Sequence, residues 1–532
     1  MVRTLPFHGR NMSSILIGGT LFLKHMDTII FQSFIPELFL SFSILLQLIF
    51  NIKLINNSKY NFPIIDREVF YQTFFILICL FFLYTNLKIE GFLSNFLFFN
   101  DEGARILKIL TLLTCFFTLT VVFQSFSLQR LNFFEFFTLF LLSLLSLLLL
   151  ISSSDLISFY LVIEMQSLCF YILASFKRSS SFSTEAGLKY FISSAFISGV
   201  FLFGSSLIYG ILGTLSFNGI SLILSFPLDN FFAPQFYVLV TGVLCVTSTL
   251  LFKIACAPFH FWAPDVYEGS PLSSTILFSI IPKLSLTFFF IKWILCLNML
   301  TVQQFLLFCG VFSALVGTFF ALSQHRMKKL IIYSSISQIG FIVAGLSVNT
   351  FNGYISVFFF LIIYVITSIL IWSHFSLFYS FQTEIRNFYK KNATSLYISS
   401  LTNFFEINKL WSFSFILIFF SIAGIPPLTG FLSKIFILLE LVNSDQILAA
   451  CALIIISSVS VFYYIRIIKI IFFEPKNIEK NYEKCQIIFH NLFLDTVYFN
   501  IVILLCFLIL VFFFPTMLIL ICQYIVLNMF GF

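Results

Sequence analysis

Residues 421–438 read SIAGIPPLTGFLSKIFIL, and this stretch decides the fold. A run this apolar belongs in a membrane, yet Gly424, Pro426, Pro427 and Gly430 interrupt it, and Lys434 follows the interruption inside apolar sequence. Proline removes a backbone donor and clashes with the carbonyl four residues back. A charged lysine at a bilayer centre costs about 2.5–3.5 kcal/mol on insertion scales. Both are tolerated at membrane depth only where protein or a water-lined cavity satisfies the freed backbone and the charge. Residues 246–264, VTSTLLFKIACAPFHFWAP, have the same character, with Lys253 ahead of Pro258 and Pro264. Two further charges sit deep in apolar runs, Glu164 in LISFYLVIEMQSLCFYILA and Lys283 in ILFSIIPKLSLTFFF.

The rest of the chain agrees with a membrane reading. Over 532 residues, 60% are apolar and 10% charged, with a mean hydropathy of +1.05, which excludes a water-soluble globule. The longest polar segments, 381–410 and 474–490, are too short for a soluble catalytic domain. The net charge of +7 is spread over short loops, with no basic cluster to track a phosphate backbone, so nucleic-acid binding is excluded. Eleven cysteines occur without a CxxC pair; no metal or iron–sulfur ligand set is expected, and they read as small packing residues.

Apolar stretches of about 20 residues predict an all-α polytopic protein with about 14 transmembrane helices. They lie near 35–52, 69–86, 107–126, 133–152, 156–175, 188–212, 236–266, 272–297, 302–323, 329–347, 353–379, 411–442, 446–473 and 497–526. Loops after odd-numbered spans hold 18 Lys and Arg; loops after even-numbered spans hold three, Lys88, Arg105 and Lys108. By the positive-inside rule both termini then lie opposite the basic loops. Residues Ile15 to Leu23, behind Arg3 and Arg10, have the shape of a signal-peptide core without a small-residue cleavage site, and read as part of an N-terminal extension on or near the membrane.

The seventh and twelfth spans are about 31 residues long, about 47 Å as straight helices against a hydrocarbon core of about 30 Å. Both carry breakers, Pro258 in one and Pro426 and Pro427 in the other. They are five spans apart, an odd number, so they run in opposite directions, the signature of an inverted repeat pairing spans four to eight with nine to thirteen. The chain divides accordingly into an extension (1–34), three leading helices (35–130), two repeats (131–300 and 301–473) and a loop with a last helix (474–532). Broken helices, mid-membrane charges and inverted repeats together describe an ion-translocating unit; the bland alternative for each lysine is packing or snorkelling. Glu185 and Lys189, four apart, read first as a surface ion pair. Asp265 and Glu268 read as interfacial or capping carboxylates, Glu440 as a snorkelling one, and no role is assigned to His325, His374 or His490.

The stretches YLVIEMQSLCFYILASFKRSSSFSTEAGLKYFISSAF, LFKIACAPFHFWAPDVYEGSPLSSTILFSIIPKLS, MKKLIIYSSISQIGF and SIAGIPPLTGFLSKIFIL closely resemble the subunit 2 family of proton-pumping NADH:ubiquinone oxidoreductase, respiratory complex I, called subunit N in bacteria. The resemblance covers roughly residues 130–473. It implies an antiporter-like membrane-arm subunit without redox chemistry of its own, part of a translocase that moves protons when quinone is reduced elsewhere. FMN, iron–sulfur clusters, NADH and ubiquinone would bind other subunits, leaving only phospholipid for this one. Its implied neighbours are the antiporter-like subunit 4, the small subunit 4L and accessory chains. Residue by residue, the resemblance makes Glu164 the partner of Lys253, Lys283 the connecting lysine, Lys434 the lysine of the exit path and His260 a histidine between them on a hydrated axis. It gives Glu185 and Lys189 a part in proton entry. Where many relatives carry histidine, this chain has Gln338, which puts a titrating relay there in doubt.

Phenylalanine, at 80 residues, is abundant as an A- and T-rich codon pool would make it, and without a targeting peptide the composition points to an organelle-encoded chain of the inner mitochondrial membrane, both termini on the intermembrane-space side. A plastid complex or an AT-rich bacterium are the minority readings. Two other functions compete: a subunit of a multi-subunit cation/proton antiporter, and a structural spacer, which the four intramembrane charges oppose.

Overall fold

A computed structural model describes residues 33–57, 73, 75–83, 91–93, 97–129, 135–225, 233–389, 397–402, 404–473 and 496–530. Residues 1–32 of the predicted N-terminal extension, the whole 474–490 segment and the basic residues Lys59, Arg67, Lys88 and Arg130 lie outside them. Eighteen α-helices are found among the described residues. In chain order they are α1 (Ile35–Asn57), α2 (Glu102–Gln129), α3 (Glu135–Ser152), α4 (Leu156–Ala174), α5 (Ser181–Leu212), α6 (Phe217–Leu224), α7 (Ala233–Ile254), α8 (Trp262–Gly269) and α9 (Leu272–Leu297). There follow α10 (Leu300–Leu322), α11 (Met327–Leu346), α12 (Phe351–Tyr389), α13 (Phe404–Ile407), α14 (Lys409–Ala423), α15 (Thr429–Asn443), α16 (Ile447–Phe473), α17 (Thr496–Phe513) and α18 (Pro515–Phe530).

Ten of these helices are long and apolar enough to cross a membrane, or eleven if the bent pair α17 and α18 is one span. The expected count of fourteen is not reached among the described residues, and the reason differs by span. The second predicted span is described in part, helical over 75–83. The twelfth is split into the 15-residue helices α14 and α15. The fourteenth, expected as one helix over 497–526, turns by 90° ahead of Pro515, which has no N–H to continue the ladder. Conversely α12 runs ten residues past its expected end at 379, turning part of the polar 381–410 segment into helix. A two-stranded antiparallel hairpin, Gly91–Leu93 with Phe98–Asn100, was not expected.

The bundle is layered by burial. The membrane window of α12 is wholly enclosed, and those of α9 and α11 are 83% enclosed, so these three helices form the centre. Helices α5 and α16 lie outside and present Phe182, Ile192, Phe196, Ile455 and Phe462 outward, as lipid contact requires. Where α10 meets α11, small residues let backbones touch: a Cβ at Gly317 would lie 2.5 Å from the Ser337 nitrogen, and one at Gly340 2.5 Å from that of Ala314.

Both expected breaks are present and built alike. Helix α7 stops at Ile254, Ala255 takes φ 66°, and the Ala257–Pro258 bond is cis before α8 resumes at Trp262. Helix α14 stops at Ala423, Gly424 takes φ 83°, and the Pro426–Pro427 bond is cis before α15 resumes at Thr429. Pro264 takes no part in the break; it sits in the first turn of α8, where a missing N–H is harmless. The second break is tight enough that a Cβ on Gly430 would lie 1.7 Å from the Ser421 carbonyl oxygen, so only glycine fits.

Candidate functional site

A helix that stops inside a membrane leaves its last carbonyls without partners. At the first break, Lys283 reaches across from α9 and its ammonium donates to the carbonyl of Ile254, the last residue of α7, at 2.5 Å. At the second, Lys434, on α15, donates to the carbonyl of Ala423, the last residue of α14, at 2.8 Å. Neighbouring carbonyls are met by side chains too: Trp262 Nε1 donates to Phe252 O at 3.0 Å and Gln338 Nε2 to Ile422 O at 3.4 Å. The two breaks thus carry the same device, a buried lysine on the terminal carbonyl. Lys283 is 3% exposed and Lys434 6%, so neither charge is solvated by bulk water. Lys434 also lies over the ring of Phe341, 5.6 Å from its centroid.

Lys253 is different. Its ammonium is buried and makes no hydrogen bond. Glu164, its expected partner, is close enough to act on it electrostatically, but the two form no ion pair. One carboxylate oxygen, Oε1, has no hydrogen bond; the other, Oε2, accepts from Ser167 Oγ on the same helix at 3.3 Å, which holds the side chain along α4. The expected closed pair is therefore an open one.

Two small cavities adjoin these lysines. One, about 20 Å³, is lined by Lys253 with Gln166, Ser167 and Tyr190. The other, about 40 Å³, is lined by Lys434 with Ser334, Ser335, Gln338, Thr367 and Ser368. Lys283 and His260 line neither. His260 lies buried in the turn of the first break, its Nδ1 without a hydrogen bond. Gln338 both lines the Lys434 cavity and caps the second break.

On the basic face, Lys189 bonds Glu185 at 2.8 Å, as its spacing suggested, and also Asp265 of α8 at 3.1 Å. Glu268 is gripped by Arg326 and by Lys329, the latter at 2.9 Å, so both carboxylates of α8 are tied to other helices and are not loop groups. The outer half of the bundle holds a second charged cluster that the sequence reading missed. Arg105 and Lys108, counted as loop charges, lie inside α2 with no exposed surface. Lys108 bonds Glu37 of α1 and Asn100, while Lys292 of α9 lies 3.9 Å from Asp101 and donates to Ile151 O at 3.2 Å. The available signal was the position of Arg105 and Lys108 at the start of an apolar helix rather than in polar sequence.

Comparison with known proteins fits this geometry. Residues 153–460 match the family model described as NADH:quinone oxidoreductase/Mrp antiporter, TM. The NADH-ubiquinone oxidoreductase chain 2 of Marchantia polymorpha is 35% identical over 451 residues, 84% of this chain and 90% of that one. A chain of the respiratory complex I structure from Thermus thermophilus superposes with a TM-score of 0.70 at 22% identity, covering 91% of this chain and 98% of that one. A chain of the Mrp complex from Dietzia superposes with a TM-score of 0.73 at 16% identity, covering 94% and 97%; at such identities the likeness is one of fold. Matched over more than half its length, with both lysine-capped breaks inside the matched residues, the chain belongs to the NADH:quinone oxidoreductase/Mrp antiporter membrane family, alongside its chain 2 members.

Proposed function

We propose that this chain is a proton-translocating membrane-arm subunit of an NADH:quinone oxidoreductase. The observation that carries the reading is the pair of buried lysines, Lys283 and Lys434, each on the terminal carbonyl of a broken helix. A carbonyl dipole aimed at an ammonium substitutes for part of its hydration, so a proton can reside there at a cost well below that of an unsolvated charge. Lys253 lacks such a partner and feels Glu164 without forming an ion pair with it, so its protonation responds to charge arriving nearby. Closing the Glu164–Lys253 pair favours the ammonium; opening it releases the proton toward the Lys434 side. Lys283, fixed on Ile254, tunes this step through its charge. Glu185, Lys189 and Asp265 form the entry on the basic face, and His260 supports the turn.

The redox groups, FMN and iron–sulfur clusters, and the reactants NADH and ubiquinone belong to other subunits in this reading, and phospholipid covers the outward apolar face. Its neighbours are the antiporter-like subunit 4 and the small subunit 4L, its home the inner mitochondrial membrane, and its basic loops face the matrix. The second reading, a subunit of a multi-subunit cation/proton antiporter, draws on a fold likeness of the same size.

Native membranes solubilised in mild detergent and separated as intact complexes decide between them. Co-migration of this chain with a megadalton-scale NADH-oxidising band supports the oxidoreductase reading; migration in a smaller band without NADH oxidation refutes it. Within the intact complex, Glu164→Gln should lower protons moved per NADH, and unchanged coupling would remove the switch.

A further inference from the structure

The cavities beside Lys253 and Lys434 are separate, and Tyr267 of α8 is the one described residue that lines both. At about 20 and 40 Å³ each has room for one to a few water molecules. Tyr267 is 3% exposed, and its ring is fixed edge-on against Trp262, centroids 5.7 Å apart at 88°. Its hydroxyl donates to the carbonyl of Phe278 at 3.3 Å. That carbonyl is free for a reason written in the chain: its helical partner would be the N–H of residue 282, and residue 282 is the proline inside α9. Pro282 itself lines the Lys253 cavity.

We infer that Tyr267 is the proton gate between the Lys253 and Lys434 cavities, its hydroxyl seated at rest on the carbonyl that Pro282 leaves free. The inference rests on the proton-translocating reading above. In the resting arrangement the phenol proton is committed to a backbone oxygen, so no continuous chain of donors joins the two cavities. Rotation of the hydroxyl about its C–O bond, with the ring held by Trp262, aims that proton at water on the Lys434 side. A proton arriving from water on the Lys253 side then bonds the phenol oxygen as the phenol's own proton leaves for water on the far side. One O–H bond forms and one breaks, the phenol is neutral before and after, and one proton has crossed. Return of the hydroxyl to Phe278 O closes the gate.

The test uses the intact complex in liposomes, with NADH oxidation and internal acidification followed together. Tyr267→Phe removes the hydroxyl and keeps the ring, so uncoupled NADH oxidation should stay at the wild-type rate while protons moved per NADH fall by as much as in Lys434→Met. Wild-type coupling in Tyr267→Phe with reduced coupling in Lys434→Met overturns the gate and leaves the translocation reading standing; wild-type coupling in both overturns the translocation reading itself. Should Tyr267→Phe fail to assemble, Pro282→Ala decides: it restores the N–H that Phe278 O lacks, unseats the hydroxyl, and should raise passive proton leak without NADH several-fold. A Pro282→Ala complex as proton-tight as wild type overturns the gate.

Discussion

Removing one lysine cap should loosen one break and leave the other untouched. In Lys434→Met the chain keeps an apolar side chain of similar length, but Ala423 O loses a charged donor at 2.8 Å. Hydrogen bonds to charged groups contribute about 1.5–3 kcal/mol, and a buried carbonyl left unmade costs on the same scale. The amides that report on the break are those of Gly424 and Ile425, both bonded to Phe420 O, and of Leu428, bonded to Ile425 O. If these exchange by local opening, about 1.5–3 kcal/mol corresponds to roughly 10- to 150-fold faster exchange at tenfold per 1.4 kcal/mol. Hydrogen–deuterium exchange with peptide mass spectrometry on the intact complex reads both breaks at once. Lys434→Met should accelerate residues 424–428 and spare 255–259; Lys283→Met should do the reverse, because Ile254 O is its partner. Separate sites without shared partners are expected to respond independently. Acceleration of less than threefold at 424–428, or equal acceleration at both breaks, would show that the lysines do not hold the breaks.

Two other substitutions probe parts of the fold on which the site depends. Lys108→Met leaves Glu37 buried and unpaired, which should cost about 3–5 kcal/mol, whereas Lys108→Met with Glu37→Leu should recover most of the loss, read as the yield and thermal tolerance of assembled complex. A double variant no better than the single one would mean that the cluster's charges act outside this pair. Gly430→Ala puts a Cβ 1.7 Å from Ser421 O and should prevent assembly, measured as loss of the chain from the complex band, while Gly199→Ala, where a Cβ meets open space, should assemble normally.

The sequence displayed the anomalies of this protein and concealed their partners. Glu164, Lys253, Lys283 and Lys434 stood out because a charge in an apolar run is expensive wherever it points, and the breaks stood out because two prolines and two glycines cannot continue a helix. The acceptors of Lys283 and Lys434 were invisible, since a backbone carbonyl has no sequence signature and Ile254 lies 29 residues from Lys283. Arg105 and Lys108 were misread because charges near a span end are usually interfacial; it is the packing of α2 against α9, α12 and α18, with Glu37 and Asn100 on Lys108, that encloses them. Pro515 was legible in principle, but the even hydropathy on both sides of it masked the bend.

Tyr267 shows why composition alone could not reveal the connection between the lysines. In a chain that is 20% aromatic, one more tyrosine carries no signal, and its hydroxyl matters only because a proline fifteen residues later frees a carbonyl within its reach. The same logic joins the whole site: at each of three places a backbone carbonyl loses its helical partner, at Ile254, Ala423 and Phe278, and at each an ionisable or hydroxyl side chain takes it up. A carbonyl with a helical N–H has little to offer a mobile proton; one without it provides a fixed acceptor at membrane depth, where water is scarce. The helix breakers therefore do more than bend the chain. They leave backbone acceptors at fixed positions for Lys283, Lys434 and Tyr267, and Tyr267 lines both the Lys253 and the Lys434 cavity.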